Sequence, residues 1–437
     1  MAMKVKIIGD GISGKAAESW LTSRGVETVV VTDPQEIVAG DFDFCVVSPG
    51  IPAALLSAES VPVIPEMELP FYFDHKIKPK CLIAVTGTNG KTTIVNQIAR
   101  LCSDAGKPTV LCGNVGIPVS RVADKLNKSY AVMEVSSFML EQSQILHPHI
   151  AVLSNITPDH LDRHGNLAEY IRCKQQIAAR MKRRDNLIVN WDDLHARTVG
   201  LDLLKARQCH VIWYSTMEKV KGYYVRDHAV YEHRVCGERK LFTLDEIGGM
   251  PHTVSNALAV VAVGRRLGIS LPMIIQAVRY HEQKHRIELV ADNNGVVFYN
   301  DSKATNIAST LAAVNAFSLP VCLILCGLSK NQDYHELMEN LPPHVQHVIV
   351  FGAIAEPVTA IATELQLTCV EAVPDLATAV QRAVQVVPQP GVVLFSPSGS
   401  SFDQFTNYEK RGEQFCQIVN EIIRQAPRCG LPTDANL

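Results

Sequence analysis

The stretch Cys81-Leu-Ile-Ala-Val-Thr-Gly-Thr-Asn-Gly-Lys-Thr-Thr93 joins an apolar run to a glycine-containing turn and a Lys-Thr pair. Residues 82–85 predict a buried strand of a parallel sheet, and residues 94–99 continue at helical spacing. Glycines let backbone N–H groups converge on an anion, and the N-terminus of a helix adds partial positive charge. Lys91 is suited to contact the outer phosphates of a nucleotide, and the Thr92 hydroxyl is suited to bind Mg²⁺. The stretch therefore predicts a nucleoside triphosphate site between a strand and a helix.

One position departs from the strict phosphate-binding loop. That loop has a glycine five residues before Gly90, whereas this chain has Val85. An ordinary turn between a strand and a helix is therefore the alternative interpretation. The flanking apolar run and the helical spacing that follows favour the nucleotide.

The composition is that of an ordinary globular chain, with 47% hydrophobic and 19% charged residues. A length of 437 residues predicts about three domains. The net charge of -3 gives no reason to expect nucleic acid or an anionic membrane as a partner. The 12 cysteines include no Cys-x-x-Cys pair, which favours reduced thiols. Because residues 1–9 resemble no signal peptide and no apolar run approaches about 20 residues, we expect a cytoplasmic protein without membrane insertion.

A second glycine motif, Gly9-Asp-Gly11-Ile-Ser-Gly14, lies between a strand predicted at 4–8 and a helix predicted at 15–24. This G-x-G-x-x-G pattern is typical of dinucleotide-binding units, and Thr32-Asp33 lies near the position of a ribose-binding acid. Residues 1–79 are too few for a dinucleotide with its own catalytic domain, so a nucleoside diphosphate fits better. A tight turn with close helix packing is the structural alternative.

Polar side chains follow the next predicted strands of the central region. Glu134 ends a strand at 130–134, and His160 follows a strand at 150–155. Side chains just past the C-terminal ends of such strands face the phosphates and the metal. Glu134 is suited to Mg²⁺ because hard cations prefer carboxylates, whereas His160 is equally well explained as a loop residue.

Residues 168–267 contain only weak sequence indications of a functional site. The helix predicted over 168–183 carries Lys174, which sequence alone favours as a solvated surface charge. From residue 186 the chain is rich in short strands, which suggests hairpins appended to the domain. His252 and Asn256 are candidates for a base pocket, although Asn256 is explained as well by capping the helix 257–267.

From residue 283 onwards, strands alternate with helices, which predicts a doubly wound α/β domain with an open parallel sheet. The loop 396–401 precedes a long helix, so its amides and hydroxyls are suited to hold a carboxylate. The polar loops of this region are Lys284-His-Arg-Ile-Glu288, Asn300-Asp-Ser-Lys-Ala-Thr-Asn306, Gly327-Leu-Ser-Lys330 and Ser396-Pro-Ser-Gly-Ser-Ser401.

Together these motifs resemble the Mur ligase family over essentially the whole chain. The motifs that carry the resemblance are Thr86-Gly-Thr-Asn-Gly-Lys-Thr92, Glu134-Val-Ser-Ser-Phe138, Asn155-Ile-Thr-Pro-Asp-His-Leu-Asp162, His285-Arg286, Asn300-Asp-Ser-Lys-Ala-Thr305 and Ser396-Pro-Ser398. The resemblance implies an α/β protein of three domains. These are a small Rossmann-like UDP-binding domain at 1–79, a central P-loop ATP-binding domain with a parallel sheet at 80–282, and a doubly wound Rossmann-like domain for the amino acid at 283–437.

Within the family, the motifs are most similar to those of members that add D-glutamate to UDP-N-acetylmuramoyl-L-alanine in peptidoglycan precursor synthesis. The resemblance implies an ATP-dependent amide ligase that works through an acyl phosphate with two Mg²⁺ ions, and we expect a monomer. One alternative is a Mur-type ligase for another amino acid, including L-glutamate. Another is a ligase like folylpolyglutamate synthase, against which the motif at 9–14 argues. A non-catalytic nucleotide-binding protein, or an NAD-binding module fused to an ATPase, is the alternative of a different class.

The resemblance also assigns roles to individual residues. It implies catalytic roles for Lys91, Lys174, His160 and Arg286. It implies metal ligands at Thr92, Glu134, His160 and Lys174, with a carbamylated lysine presenting an oxygen. ATP contacts are implied at Gly87, Thr88, Asn89, Gly90, Lys91, Thr92, Thr93, Asn256, Arg286, Asp301 and Lys303. Contacts with the UDP-sugar are implied at Ile12, Ser13, Asp33 (or Thr32, by register), Ser48, Gly50, Asn114 and His160, and contacts with glutamate at Lys330, Ser401 and Tyr408.

The chain departs from the family pattern at a few positions, namely Met139, Thr253, Ser398 and Tyr408. None of them lies in the phosphate motif or among the implied metal ligands.

Overall fold

The computed structural model describes residues 3–33, 41–56, 59, 61–235, 237–248, 251–279 and 284–425, without the side chains of 251, 252 and 425. The predicted domain boundary at 282 and 283, the side chain of His252 and the tail after residue 425 lie outside this description. The described residues form two compact units, one within the ranges 1–158 and 163–280 and one within the ranges 159–162 and 281–437. The further division of the first unit at residue 79 stays a prediction.

The first sheet is built from the N-terminal elements of the first unit. They are β1 Lys4–Ile8, α1 Ile12–Thr22, β2 Glu27–Val31, β3 Phe44–Val47, β4 Val63–Pro65 and α2 Leu69–Phe73. The strand order is β2-β1-β3-β4, and the neighbours are parallel. Helix α1 begins at Ile12 and not at the predicted residue 15, because Gly11 is its N-cap. A Cβ at Gly14 would overlap the carbonyl oxygen of Gly9, so the last glycine of the motif lets α1 pack against the turn.

The second sheet carries the phosphate stretch. Its elements are β5 Cys81–Thr86, α3 Lys91–Asp104, β6 Thr109–Gly113, α4 Ala123–Leu126, β7 Tyr130–Glu134, α5 Ser137–Glu141, β8 Ile150–Leu153, α6 Leu161–His164, α7 Leu167–Gln175, β9 Asn186–Asn190, α8 Leu194–Lys205, β10 His210–Ser215, β11 Gly222–Arg226, β12 Ala229–Arg234, β13 Gly237–Thr243, α9 Pro251–Arg266 and α10 Leu271–Val278. The strand order is β13-β12-β11-β10-β9-β8-β5-β7-β6.

Strands β11, β12 and β13 form the predicted hairpins. Because β11 pairs in parallel with β10, these hairpins extend the second sheet. The sheet is therefore parallel with an antiparallel edge, formed by β12 and β13. The helix predicted over 168–183 is shorter, since α7 ends at Gln175 and a single 3₁₀ turn, Gln176–Ala178, follows.

Two buried carboxylates attach the first sheet to the second. Glu68 is fully buried and accepts hydrogen bonds from the amides of Gln144, Ile145 and Leu146 at 2.8–3.0 Å. Glu66 accepts from the Ser120 amide at 2.7 Å, and burial raises the pKa of Glu66. A carboxylate without water is stabilised only by such donors, so these contacts join the two sheets into one unit.

The second unit contains the third sheet. Its elements are β14 Glu288–Asn293, β15 Val296–Asn300, α11 Ile307–Val314, β16 Val321–Cys326, α12 Tyr334–Glu339, β17 Val345–Phe351, α13 Ala355–Glu364, β18 Val370–Ala372, α14 Leu376–Val386, β19 Gly391–Ser398 and α15 Tyr408–Gln425. The strand order is β14-β15-β19-β16-β17-β18. The sheet is parallel, as predicted, except at β14, which forms an antiparallel hairpin with β15 and was not among the predicted strands. Among the helices of the described residues, none combines the length and the apolar character that crossing a bilayer requires.

Candidate active site

The phosphate loop connects β5 to α3 and is shaped by two glycines. Gly87 and Gly90 have φ angles of +155° and +86°, which side chains disfavour. A Cβ at Gly87 would overlap the Ser154 hydroxyl, and a Cβ at Gly90 would overlap the Asn256 carboxamide. The loop therefore lies directly against the end of β8 and the first turns of α9. This places Asn256 beside the loop, as the resemblance implies.

Asn155 holds the loop in this conformation. Its carbonyl oxygen accepts from the Thr88 amide at 2.9 Å, and its side-chain oxygen accepts from the Asn89 amide at 2.8 Å. Ser154 adds a hydrogen bond from its hydroxyl to the Asn89 carbonyl at 2.8 Å. The sequence-based assignment gave Asn155 no role, although its place directly after a predicted strand could have indicated one.

Two lysine amines meet at one carbonyl oxygen of the loop. Lys91 Nζ donates to Gly87 O at 2.9 Å and to Thr88 O at 2.8 Å, and Lys174 Nζ donates to Gly87 O at 2.7 Å. Lys174 is only 1% exposed, and its amine lies 4.5 Å from the centre of the Tyr170 ring. The expectation of a solvated surface charge is therefore wrong, and the structure brings Lys174 to the phosphate loop.

Glu134 presents a buried oxygen that suits a cation. Its side chain is 2% exposed, and Oε1 accepts from Asn114 Nδ2 at 3.0 Å. Within the described residues, Oε2 is buried and has no hydrogen-bond partner. A buried carboxylate oxygen without a donor is costly, so a hard cation fits this position. No group of three His, Cys, Asp or Glu residues in the described part of the chain could hold a metal, so further oxygen donors would have to come from elsewhere.

His160 lies in the short segment 159–162 that groups with the second unit. Its backbone has a φ of +54°, and its amide donates to Asp159 Oδ1 at 3.0 Å. The ring nitrogen Nε2 lies 3.7 Å from Asp159 Oδ2. The implied roles of His160 in metal and substrate binding stay predictions.

Three of the residues implied for the UDP-sugar, Ile12, Ser13 and Ser48, lie at or beside the glycine turn of the first sheet. Ser48 Oγ lies 3.4 Å from Gly9 O, Ser13 lies in the first turn of α1, and Ile12 is 65% exposed. Thr32 and Asp33 are both exposed, so the choice between them stays open.

Arg163 is a residue of this region that sequence reasoning missed. It donates to Gly50 O and Ile51 O at 2.9 Å each, and to Glu141 Oε2 at 2.7 Å. The loop that contains Ser48 and Gly50 is thus held by the central part of the chain.

In the second unit, Asp301 lies buried between two polar loops. It accepts from Ser396 Oγ at 2.8 Å and from the Ile287 amide at 3.2 Å. Burial raises the pKa of Asp301 to about 7, against the opposing effects of the Ser396 hydrogen bond and of the charges of Arg286 and Lys303. The structure therefore brings together three residues implied for ATP.

The loops that carry Lys330 and Ser401 are paired with each other. The Leu328 amide donates to Ser400 O at 2.9 Å, and the Ser400 amide donates back to Leu328 O at 3.0 Å. Ser401 is 3% exposed, and Lys330 Nζ lies 3.4 Å from Asp159 Oδ1. Tyr408 begins α15, and its carbonyl oxygen accepts from Ser302 Oγ at 2.8 Å. These contacts place the residues implied for glutamate on neighbouring loops.

The Mur ligase middle domain matches residues 85–264, and the glutamate ligase domain of Mur ligases matches residues 285–399. The chain belongs to the Mur ligase family, and it is an ATP-dependent ligase that forms amide bonds. Two relatives share the name UDP-N-acetylmuramoylalanine–D-glutamate ligase. The one from Streptococcus agalactiae serotype Ia is 35% identical over 92% of this chain and 88% of its own length. The one from Streptococcus pneumoniae strain P1031 is 36% identical over 93% of this chain and 89% of its own length.

Solved structures share the fold at low sequence identity. The MurF structure from Acinetobacter baumannii superposes with a TM-score of 0.61 at 18% identity and covers 96% of this chain and 93% of that chain. The MurF ligase from Thermotoga maritima in complex with ADP gives a TM-score of 0.60 at 15% identity and covers 97% of this chain and 95% of that chain. These structures support the α/β architecture described above.

Proposed function

We propose that this chain adds D-glutamate to UDP-N-acetylmuramoyl-L-alanine with ATP, in peptidoglycan precursor synthesis. The observation that carries the proposal is the 35% identity to a ligase of that name over 92% of this chain. The phosphate loop, with Lys91, Lys174 and Glu134 around it, supports the ATP-dependent part of the reaction. The paired loops of Lys330 and Ser401 support the amino-acid part.

The reaction needs an activated carboxylate, because a carboxylate oxygen is a poor leaving group for attack by an amine. In our proposal, the γ-phosphoryl group of ATP passes to the alanine carboxylate, which gives an acyl phosphate and ADP. The glutamate amine then attacks the acyl carbon, and the tetrahedral intermediate releases inorganic phosphate as the amide forms. Lys91 would neutralise charge on the transferring group.

Thr92, Glu134, His160 and Lys174 are the residues that would hold Mg²⁺. The metal would supply charge neutralisation on the phosphates when bound. Glu134 fits this role because its Oε2 is buried and has no hydrogen-bond partner in the described residues. The carboxamide of Asn114 orients the same carboxylate through Oε1.

The two amines at Gly87 O support carbamylation of Lys174. Lys91 Nζ and Lys174 Nζ lie 2.9 and 2.7 Å from the same oxygen, and two ammonium groups so placed would repel each other. A carbamyl group would replace one cation by an anionic oxygen, which attracts Lys91 and suits Mg²⁺. A residue that sequence alone favours as a surface charge thus becomes a ligand.

Glutamate brings two carboxylates, and its amine must stay free to attack. Lys330 would pair with one carboxylate, and the hydroxyl and amides of the loop that ends at Ser401 would bind the other. The Tyr408 hydroxyl is a further donor at the start of α15. The proposal includes a monomeric enzyme of the cytoplasm that acts on these small molecules.

The activation step is tested without amino acid. With ATP, Mg²⁺ and UDP-N-acetylmuramoyl-L-alanine, borohydride should reduce the trapped acyl phosphate and convert the alanine carboxyl group to an alcohol. A reduction product that forms only when glutamate is also present would contradict activation before attack.

The choice of amino acid is tested by phosphate release with a panel of amino acids. D-Glutamate should give the highest kcat/KM. A preference for L-glutamate or for another amino acid would assign the chain to a different Mur-type ligase, and activity on a folate substrate would replace the proposal altogether.

A further inference from the structure

Arg411 is a fully buried cation whose acceptors are all neutral. Its side chain is 0% exposed on α15, and burial lowers the pKa of Arg411. One of its acceptors is the thiol of Cys326, which is neutral because burial raises the pKa of Cys326 to about 12. The negative charge of Asp403 opposes the lowering of the pKa of Arg411, but in the described residues no carboxylate forms a direct ion pair with this guanidinium. A buried charge of this kind is costly unless its hydrogen bonds are well made, so its position needs an explanation.

The guanidinium connects loops that follow three neighbouring strands. Nε donates to Ser302 Oγ at 3.0 Å, and one Nη donates to Ser302 O at 2.8 Å, in the loop after β15. The other Nη donates to Gly399 O at 3.0 Å, in the loop after β19, and lies 3.8 Å from Cys326 Sγ at the end of β16. Strands β15, β19 and β16 are adjacent in the sheet. One side chain therefore contacts the loop after β15, the loop after β19 and the end of the strand that precedes the loop of Lys330.

The residues that Arg411 contacts lie in the loops assigned to ATP and to glutamate. Ser302 lies between Asp301 and Lys303, which are assigned to ATP, and Gly399 lies in the loop that ends at Ser401, which is assigned to glutamate. Ser302 Oγ also donates to Tyr408 O at 2.8 Å, at the start of the helix that carries Arg411. The loop assigned to ATP and the loop assigned to glutamate are thus both bound by Arg411.

We propose that Arg411 is a positioning residue that fixes the ATP-binding loop relative to the glutamate-binding loop, so that both substrates are held for the same reaction. The inference rests on the proposed function for the assignment of the two loops. A planar guanidinium presents its donors in a fixed fork, which a lysine amine cannot reproduce. The geometry of the fork, and not the positive charge alone, sets the distance between the loops.

The kinetic test compares Arg411→Lys with Lys410→Ala in the full-length chain. Lys410 is the adjacent residue on α15, where it is 63% exposed and pairs with Glu413. Arg411→Lys should raise the KM for both ATP and glutamate by about tenfold or more, because each loop loses a charge-assisted hydrogen bond. The KM for the UDP-sugar should stay within about twofold, and Lys410→Ala should leave all three values unchanged. Wild-type kinetics in Arg411→Lys, or an equal rise of all three KM values, would overturn the proposal.

A second measurement separates this inference from the proposed function and from a general loss of stability. Amide hydrogen exchange of Arg411→Lys, without substrates, should be faster than in the wild type in peptides that cover 300–305 and 396–401. Peptides of α13 and β18 should exchange as in the wild type. A uniform increase would show that Arg411 only stabilises the core, and no increase would show that the loops do not depend on it. If the wild type showed no glutamate-dependent phosphate release, the proposed function would fail, while the exchange result would still decide the role of Arg411.

Discussion

The phosphate loop and the loop cluster of the second unit (residues 300–306, 327–330 and 396–401) are both proposed to bind anions, but they are built in opposite ways. The phosphate loop is continuous in sequence, and Lys91 donates to carbonyls only 3 and 4 residues away. The loop cluster is joined by Arg411, which contacts Ser302 across 109 residues of chain. The phosphate loop depends on glycines that adopt positive φ angles, whereas the loop cluster depends on side chains that connect separate loops. We therefore expect substitutions in the phosphate loop and in the loop cluster to have different effects.

The largest effect is expected at Lys174, which donates to the phosphate loop from a helix 87 residues away in the chain. Lys174→Ala should lower kcat by about a hundredfold or more, because an oxygen ligand of the metal would be lost. Acetate or another small carboxylate should restore part of the activity. Steady-state kinetics with and without the added carboxylate measures both effects.

Arg172→Ala is the matched control for Lys174, since Arg172 lies on the same helix and forms an exposed pair with Glu169. It should retain wild-type kinetics. Full activity of Lys174→Arg would end the carbamylation proposal, because arginine cannot present an oxygen.

The next largest effect is expected in the loop cluster. It tests whether the two paired loops that carry Lys330 and Ser401 bind the same substrate. Lys330→Ala and Ser401→Ala should each raise the KM for glutamate about ten- to a hundredfold, as expected for the loss of a charge-assisted hydrogen bond of about 1.5–3 kcal/mol. The KM values for ATP and the UDP-sugar should stay within a few-fold. Tyr408→Phe separates a hydroxyl contact, which would raise the KM for glutamate, from a hydroxyl that faces water.

If Lys330 and Ser401 only stabilise their loops, the melting temperature would fall and the three KM values would move little. That outcome would contradict their assignment to glutamate. Lys410→Ala, on the surface of α15, serves as the control for loss of a positive charge.

A smaller effect is expected from a substitution at Gly90, which tests whether the phosphate loop depends on the backbone conformation of its glycines. Gly90→Ala should weaken binding of a non-hydrolysable ATP analogue by about tenfold, because a side chain is strained at a φ of +86° and its Cβ would overlap Asn256. Gly106 is the control, since its φ is +69° but no atom lies within 4 Å of an added Cβ. Gly106→Ala should lower the stability slightly and leave nucleotide binding unchanged. Equal losses of affinity in both variants would mean that contact with Asn256 does not matter.

The smallest effect concerns the buried acid of the loop cluster. Burial raises the pKa of Asp301 from 3.8 to about 7, so between these values the folded chain keeps a proton that the unfolded chain has released. This proton contributes fully to the free energy of unfolding below about pH 4, and its contribution is lost as the pH rises through 7. Between these values the free energy of unfolding falls by up to about 1.4 kcal/mol per pH unit. Asp301→Asn cannot titrate, so its free energy of unfolding relative to the wild type should increase between pH 5 and 8. Chemical denaturation without nucleotide at several pH values measures this difference.

Asp375→Asn provides the control for Asp301. Asp375 caps α14 by accepting from the Thr378 amide, which lowers the pKa of Asp375, so its titration lies below this pH window. The difference from the wild type should therefore be constant between pH 5 and 8. A constant difference for Asp301→Asn as well would contradict the raised pKa.

The same contrast explains what the sequence could predict. The strand, turn and helix of the phosphate loop were predicted correctly because their residues are consecutive. Burial of Lys174 was not predicted, since a lysine in a helix carries no local sign of the loop it contacts. Only the family resemblance implied a role for this residue, as a metal ligand. Arg411 stands among charged residues in Tyr408-Glu-Lys-Arg-Gly-Glu413 and reads as a surface residue. Its burial depends on contacts with Ser302, 109 residues away, and with Cys326, 85 residues away.

Some differences from the predicted fold had local signals that could have been used. Asn294-Gly295 after β14 is a typical hairpin turn, and it indicates the antiparallel edge strand β14, which was not predicted. Helix α8 was missed, although Asp193 is a typical N-cap and accepts from the Ala196 amide at 2.8 Å. The pairing of β11 with β10 had no such signal, because strand partners are chosen by packing of the whole sheet.

Glu68 has a practical consequence for anyone who divides the chain into fragments. A fragment that ends at residue 79 would keep Glu68, but it would remove the amides of residues 144–146 that bind the carboxylate. Met67 and Leu69, both 0% exposed in the whole chain, would face water together with it. Such a fragment would expose a hydrophobic surface around an acid and would be prone to aggregate. Recombinant fragments for measuring UDP affinity should therefore extend to residue 280, well beyond the last strand of the first sheet.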